Sequence, residues 1–167
     1  MAETRLSVLF LCTGNSARSQ MAEAILRHLA HGSVDVESAG TAPQPEIHPM
    51  VRRAVKTLLD TDMIGQHPKT LDRFLHRDFD YVVTVCDRAA ETCPVFLGAP
   101  ERLHWGVDDP AAATGTDEEK QRVFDATATQ LLSRVRQWLS LPAIRNRIDL
   151  PRERELRSVT RATTTKS

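Results

Sequence analysis

The chain has 167 residues, 41% of them apolar and 26% charged, which is enough for one globular domain with a sizeable core. Its 22 Lys and Arg residues are balanced by 22 Asp and Glu residues, so no overall charge favours a nucleic acid or a membrane as partner. The first apolar run is too short to cross a bilayer and no secretory signal precedes it, which predicts a cytoplasmic protein. Three cysteines are an odd number for a disulfide framework, so catalytic, redox-active or buried thiols are expected.

Short apolar runs alternate with amphipathic runs along most of the chain. Strands are predicted at residues 6–11, 34–39, 81–85 and 102–105. Helices are predicted at residues 19–30, 49–59, 70–75 and 117–140, the last with Val123, Ala126, Leu131, Leu132, Val135 and Leu139 facing inward. This alternation predicts an open, doubly wound parallel α/β domain over residues 1–140. Beyond it the pattern weakens, and residues 141–167 are predicted to form a loosely ordered tail.

The segment between the first strand and the first helix has a C-x5-R-S arrangement that runs from Cys12 to Ser19. Ligands of open α/β sheets bind at the carboxyl ends of the strands, where the N–H groups of a helix N-terminus are free. Gly14 allows the backbone to curl, and the planar guanidinium of Arg18 can hold two oxygens of a tetrahedral oxyanion. The predicted oxyanion-binding residues are Thr13, Gly14, Asn15, Ser16, Ala17, Arg18 and Ser19.

Cys12 is the predicted nucleophile of this loop. Amide N–H groups and the helix dipole lower the pKa of a thiol, and the thiolate is its reactive form. Ser19 can donate a hydrogen bond to that thiolate, and Asn15 can brace the loop. A displacement at an oxyanion also needs a proton donor for the departing oxygen. Asp109 is the candidate because Pro110 stiffens the turn that presents it, although an ordinary Asp-Pro turn explains the same residues.

A C-x5-R loop with an acid describes a phosphatase equally well, and the other two cysteines favour a redox reaction instead. Cys86 follows the third predicted strand as Cys12 follows the first, so the two strand ends can lie roughly 5 Å apart if these strands are neighbours. Cys93 is seven residues further on, a helical offset of about 10 Å that is too long for a disulfide unless the segment between them unwinds. A zinc site formed by these cysteines and His104 has the wrong spacing, and a structural role is expected for His104.

Several segments resemble the thioredoxin-coupled arsenate reductases, which are built on the low-molecular-weight tyrosine phosphatase fold. Residues 12–23 read C-T-G-N-S-A-R-S-Q-M-A-E, and residues 104–111 read H-W-G-V-D-D-P-A. Residues 38–41 and 83–86, together with Cys93-Pro94, complete the match. Three motifs in the same order make the resemblance specific, and it covers roughly residues 5–140.

The resemblance implies a four-stranded parallel sheet and a role for each residue. Cys12 would attack arsenate, Arg18 and the loop amides would hold it, and Asp109 would protonate the leaving hydroxyl. Cys86 would then form a disulfide with Cys12, and Cys93 would take that bond over. Thioredoxin would reduce the final disulfide, with no cofactor bound to the chain.

The resemblance also raises the question of a cation. Some members of that family bind potassium beside the anion loop through an Asn, a Glu, a Ser and an Asp. Asn15, Glu23 and Ser38 match three of these positions, whereas the fourth falls at Lys69 or Thr70. The sequence therefore predicts at most a weak cation site and no other metal.

Three alternatives stay open from the sequence. A low-molecular-weight phosphatase for phosphotyrosine typically has an aromatic pair after the Asp-Pro, where this chain has Ala-Ala-Ala-Thr at residues 111–114. A reductase of the same fold that is served by glutaredoxin or a small thiol would tolerate the loss of Cys93. A non-catalytic oxyanion or redox sensor would have no need of an acid at Asp109.

Overall fold

The computed structural model describes residues 5–148, which form a four-stranded sheet flanked by helices. The strands are β1 (Leu6–Cys12), β2 (Val34–Gly40), β3 (Tyr81–Thr84) and β4 (Glu101–His104). The helices are α1 (Arg18–Ala30), α2 (Pro49–Leu59), α3 (Asp87–Glu91), α4 (Asp117–Leu139) and α5 (Pro142–Arg145), with 3-10 turns at Leu71–Phe74 and Pro110–Ala112. The predicted parallel α/β architecture is confirmed, with small shifts at the element ends.

The strand order β2-β1-β3-β4 places β1 at the centre of the sheet, with parallel neighbours on both sides. All seven residues of β1 are buried, as expected for an apolar strand that is covered on both faces. Leu11 pairs with Thr84, so the segments that follow β1 and β3 leave the sheet side by side. Cys12 and Cys86 therefore lie at the same edge, where the strand order predicts a ligand site.

The helices α1, α2 and α4 pack against one another. The inward face predicted for the first half of α4 is wrong, because Val123 is 40% exposed while Phe124 is 1% exposed. The Phe124 ring stacks on His48 with the ring centroids 4.5 Å apart. His48 is the N-cap of α2, and Pro49 is the first helical residue as predicted. The stacking fixes the rotation of α4 in a way that helical periodicity alone does not.

The packed domain extends past its predicted end at residue 140. Ile144 in α5 and Ile148 are buried, and Arg147 pairs with Asp80 at 3.2 Å. Residues 141–148 therefore differ from the prediction of a loose tail, because two apolar side chains attach them to the core. The rest of the predicted tail, residues 149–167, lies outside the described residues. Within residues 5–148, no helix is long and apolar enough to cross a membrane.

Candidate active site

The loop between β1 and α1 is held open by the segment that follows β2. Its carbonyl oxygens accept backbone hydrogen bonds from residues 41–48. The pairs are Cys12 with Thr41 at 3.3 Å, Thr13 with Ala42 at 2.9 Å, Gly14 with Gln44 at 2.8 Å and Ser16 with His48 at 3.0 Å. Because a trans peptide points its N–H opposite to its C=O, these carbonyls leave the amides that follow them facing the interior of the loop. In the described chain no side chain caps the start of α1, so an oxyanion can take that place.

Asn15 braces the loop, as predicted. Its φ of 48° lies in the left-handed region, which asparagine tolerates better than most residues. Its side chain is buried and donates to Ser19 Oγ at 2.8 Å and to Ser38 Oγ at 2.9 Å. Ser19 therefore accepts a hydrogen bond inside the loop, and its predicted donation to the Cys12 sulfur stays a prediction. Gly40 is required beside the loop, because a Cβ there would lie 2.5 Å from the Thr13 carbonyl oxygen.

Arg18 reaches from the start of α1 to the loop that follows β4. Its Nη1 donates to the Val107 carbonyl at 2.8 Å, and its Nη2 lies 3.9 Å from Asp109 Oδ2. Within residues 5–148, the Arg18 Nε is one of the few buried polar atoms without a hydrogen-bond partner. A buried N–H of this kind carries a desolvation cost that an oxyanion in the loop would remove. The Asp109 side chain is 48% exposed, and its Oδ1 accepts from the Ala111 N–H at 3.0 Å.

An open cavity of about 730 Å³ lies over the loop, bounded by the whole loop, by residues 44–49, and by Asp109 and Ala111. Among its described lining residues the only ring besides the prolines is the imidazole of His48. No phenylalanine, tyrosine or tryptophan of the described chain faces the cavity, so an aryl group has little to stack on.

Cys12 and Cys86 lie next to each other at the base of this site, close enough for each thiol to shift the pKa of the other. Both cysteines are buried and free. The neighbouring Cys12 thiol, the Thr13 hydroxyl at 3.5 Å and the Ala89 N–H at 3.4 Å together lower the pKa of Cys86 to about 5, although burial opposes them. Contrary to the expectation from the sequence, the neighbouring Cys86 and burial raise the pKa of Cys12, while the Arg18 charge opposes that rise. Two strongly coupled thiols titrate as a pair, and in this pair the negative charge is favoured on Cys86.

Cys93 stands apart from this pair, just beyond the C-cap of α3 at Thr92. It is half-buried, and burial raises the pKa of its thiol while the Arg102 charge lowers it. Its sulfur lies 3.8 Å from the Pro94 carbonyl oxygen. Helix α3 has only five residues, so few backbone hydrogen bonds hold the segment that separates Cys93 from Cys86.

Asn15, Glu23 and Ser38, the three candidate cation ligands, are connected by hydrogen bonds. Asn15 donates to Ser38, and Ser38 donates to Glu23 Oε1 at 3.1 Å. The Lys69 Nζ lies 3.4 Å from the same carboxylate oxygen, and the Lys69 and Glu23 side chains are 8% and 1% exposed. Arg27 pairs with the other oxygen of Glu23 at 3.1 Å. Two protein cations therefore already balance the carboxylate, and a separate metal cation has little charge left to neutralise.

Sequence reasoning missed the residues that support the site from outside the loop. These are Gly40, the hydrogen-bond donors of residues 41–48, and the Gln20–Gln66 pair, whose amide groups meet at 2.9 Å. Only Gly40 could have been identified from the sequence, because it belongs to the Ser-Ala-Gly-Thr segment at residues 38–41 that matches the family. The others depend on which segments the fold brings together, and a single sequence does not show this.

Known proteins share both the loop and the fold. The family of low molecular weight phosphotyrosine protein phosphatases matches residues 7–149. An arsenate reductase of Halalkalibacterium halodurans is 43% identical over 131 residues, which are 77% of this chain and 91% of that protein. An arsenate reductase of Bacillus subtilis is 38% identical over 133 residues, which are 78% of this chain and 93% of that protein.

Among solved structures, a thioredoxin-dependent arsenate reductase of Corynebacterium glutamicum is 31% identical, with a TM-score of 0.58 over 83% of this chain and 65% of that one. These three relatives are 31–43% identical to the chain and each aligns with more than two thirds of it. The family match covers nearly all of the described residues. The chain therefore belongs to the low molecular weight phosphotyrosine protein phosphatase family and, within it, to the group that includes these arsenate reductases.

Proposed function

We propose that the chain reduces arsenate to arsenite with two electrons from its own thiols. The observation that carries this proposal is that Cys86 lies beside Cys12 beneath the oxyanion loop, where the ends of β1 and β3 meet. Hydrolysis of a phosphate ester needs one nucleophilic thiol in such a loop, whereas reduction needs a second thiol within bonding reach of the first. The names of the relatives point to the same reaction.

In the first step, Cys12 attacks the arsenic atom of arsenate held by the loop amides and Arg18. The neighbouring Cys86, whose pKa is lowered, takes the Cys12 proton. Asp109 lies beside Arg18 at 3.9 Å, at the open side of the loop, and protonates the departing oxygen, which leaves as water. A bond between Cys12 and arsenic forms while one arsenic–oxygen bond breaks.

In the second step, Cys86 loses its proton to solvent and attacks the Cys12 sulfur. The Cys12–Cys86 disulfide forms, and the sulfur–arsenic bond breaks. The electron pair of that bond stays on arsenic, which changes from As(V) to As(III) and leaves as arsenite. The Thr13 hydroxyl and the Ala89 N–H favour the thiolate form of Cys86, which is the form that attacks.

In the third step, Cys93 takes over the disulfide by attacking Cys86, and thioredoxin reduces the Cys86–Cys93 bond. The short helix α3 supports this step, since little structure has to unfold before Cys93 can reach Cys86. The name of the Corynebacterium glutamicum neighbour includes thioredoxin dependence. Such a cycle requires a compartment with reduced thioredoxin, so we place the protein in the cytoplasm.

A single-turnover experiment tests the proposed function. Reduced protein is mixed with excess arsenate and no external reductant, and arsenite and free thiols are counted. One arsenite and the loss of two thiols per chain are expected for the wild type. Cys12→Ser and Cys86→Ser are expected to form no arsenite, whereas Cys93→Ser still forms one. Arsenite in stoichiometric yield from Cys86→Ser would overturn the two-thiol mechanism, and rapid hydrolysis of an aryl phosphate without arsenite would indicate a phosphatase.

A further inference from the structure

A second, smaller cavity of about 170 Å³ lies on the other side of β3 from the oxyanion loop residues. Its walls include Cys93, Arg102, Thr84 and His104. None of these residues except Cys93 has a part in the proposed function. The cavity is lined both by Cys93, the last thiol of the proposed relay, and by His104, the only histidine among its lining residues.

The proposed relay needs a group that accepts the Cys93 proton, and none of the residues in the proposed function has this role. Cys93 must lose a proton before it attacks the Cys12–Cys86 disulfide, because the thiolate is the nucleophile in disulfide exchange. Burial raises the pKa of Cys93, so few of these thiols are ionised at neutral pH. Arg102 opposes the effect of burial by favouring the negative charge, but a guanidinium does not accept a proton.

Thr84, His104 and Asp87 form a hydrogen-bonded chain of hydroxyl, imidazole and carboxylate at this cavity. Thr84 Oγ1 lies 2.8 Å from His104 Nδ1, and His104 Nε2 lies 2.9 Å from Asp87 Oδ1. The pair of His104 and Asp87 packs closely on Gly106, where a Cβ would come within 3.2 Å of His104 Nε2. Side chains in this order move a proton from a hydroxyl or thiol to an imidazole in many enzymes.

The hydrogen bonds of Thr84, His104 and Asp87 can form whether the His104 imidazole is neutral or protonated. With His104 neutral, Nε2–H donates to Asp87 and the Thr84 hydroxyl donates to Nδ1. With His104 protonated, both ring N–H groups donate, and the Thr84 hydroxyl turns to the Leu103 carbonyl oxygen, which lies 3.4 Å away. The Asp87 carboxylate then faces a positive imidazolium. Taking up a proton therefore breaks none of the hydrogen bonds that hold the His104 ring between Thr84 and Asp87.

We infer that His104 accepts the Cys93 proton, through the Thr84 hydroxyl, when the proposed relay passes its disulfide outward. The proton leaves Cys93 while α3 is still helical and Asp87 still orients the imidazole. The Cys93 sulfur then attacks Cys86, the Cys86–Cys93 bond forms, and the Cys12–Cys86 bond breaks. Its electron pair leaves on Cys12, whose thiolate is stabilised by Arg18. His104 afterwards releases the proton to solvent.

The charged groups around His104 are few. Asp87 faces it from α3, Arg102 lies on its own strand in the cavity, and Cys93 enters from the segment after α3. The His104 side chain is 40% exposed, so its proton can exchange with water. Imidazole is the side chain that exchanges protons readily near pH 7. This inference rests on the proposed function, because it assigns a residue to the third step.

The test measures the conversion of the Cys12–Cys86 bond to the Cys86–Cys93 bond after a single arsenate turnover. Samples are quenched in acid at increasing times between pH 5.5 and 9.5, and the disulfides are mapped by mass spectrometry. His104→Gln is expected to slow conversion on the order of 100-fold at pH 7, the lower end of the range for general-base catalysis. The deficit is expected to shrink as the pH rises and Cys93 ionises unaided. Arsenite is expected to form at the wild-type rate.

Three further variants separate proton transfer from a structural role. Thr84→Val is expected to reproduce the pH-dependent deficit, Thr84→Ser to restore conversion, and His76→Gln, at an exposed histidine outside the cavity, to behave as wild type. Wild-type conversion in His104→Gln at every pH would overturn the inference, as would an equal slowing at every pH. If the wild type itself forms no Cys86–Cys93 bond, the third step of the proposed function fails and this inference fails with it.

Discussion

The Thr13 hydroxyl and the Cys86 sulfur lie 3.5 Å apart, across the ends of β1 and β3. One residue belongs to the oxyanion loop and the other is the N-cap of α3. The contact exists because the parallel register of β1 and β3 brings the residues after each strand together. It couples the loop that binds the oxyanion to the thiol that we propose forms the first disulfide.

Replacing Thr13 by valine is expected to raise the pKa of Cys86 above about 5. The hydroxyl favours the Cys86 thiolate by hydrogen bonding, and valine keeps the shape of the side chain without the donor. The pH dependence of Cys86 alkylation, followed by mass spectrometry, measures the shift. Thr13→Ser retains the hydroxyl and is the matched control. Identical alkylation profiles in wild type and Thr13→Val would show that this hydroxyl does not support the thiolate.

Asp109→Asn is expected to lower kcat for arsenate reduction by about 10²–10⁴-fold, the range for loss of a general acid. Binding of inorganic phosphate to the loop is expected to persist, because Arg18 and the loop amides are unchanged. Isothermal calorimetry with phosphate and steady-state kinetics measure the two effects separately. The neighbouring Asp108→Asn is the control, since Asp108 makes no described contact with Arg18. Equal losses in both variants would argue against Asp109 as the acid.

Lys69→Met is expected to lower the free energy of unfolding by about 3 kcal/mol, because removing one partner of a buried ion pair leaves the other charge under-compensated. The remaining pairing of Glu23 with Arg27 keeps the loss at the lower end of that range. Urea denaturation measures the change. The double variant Glu23→Gln/Lys69→Met is expected to be more stable than Lys69→Met alone. A double variant that is less stable would contradict this account of the pair.

The sequence predicted the parallel sheet, the loop and the sheet edge that carries it, since these follow from local periodicity and residue spacing. It did not predict which face of the first half of α4 is buried. Both Val123 and Phe124 are apolar, and only the ring of His48 decides that Phe124 turns inward. The packing of residues 141–148 against the core was not predicted for a related reason. Two isolated apolar residues, Ile144 and Ile148, attach them, which is too few to form a helical pattern.

Within the site, the sequence identified the groups with distinctive chemistry and missed those with supporting roles. Cys12, Arg18 and Asp109 line one cavity, and their catalytic roles stay predictions. The burial of Lys69 against Glu23 was not predicted, because the two residues are 46 positions apart and a lysine is seldom buried. His104 was expected to be structural, and only its contacts with Thr84 and Asp87 suggest another role.

NADPH consumption with arsenate, thioredoxin and thioredoxin reductase, compared between wild type and Cys93→Ser, tests the three-thiol relay most directly. The relay predicts continuous turnover in the wild type. In Cys93→Ser it predicts that turnover stops after a single equivalent of arsenite, because the Cys12–Cys86 disulfide cannot be passed on. Sustained turnover in Cys93→Ser, or turnover that requires glutaredoxin or a small thiol in place of thioredoxin, would contradict the relay.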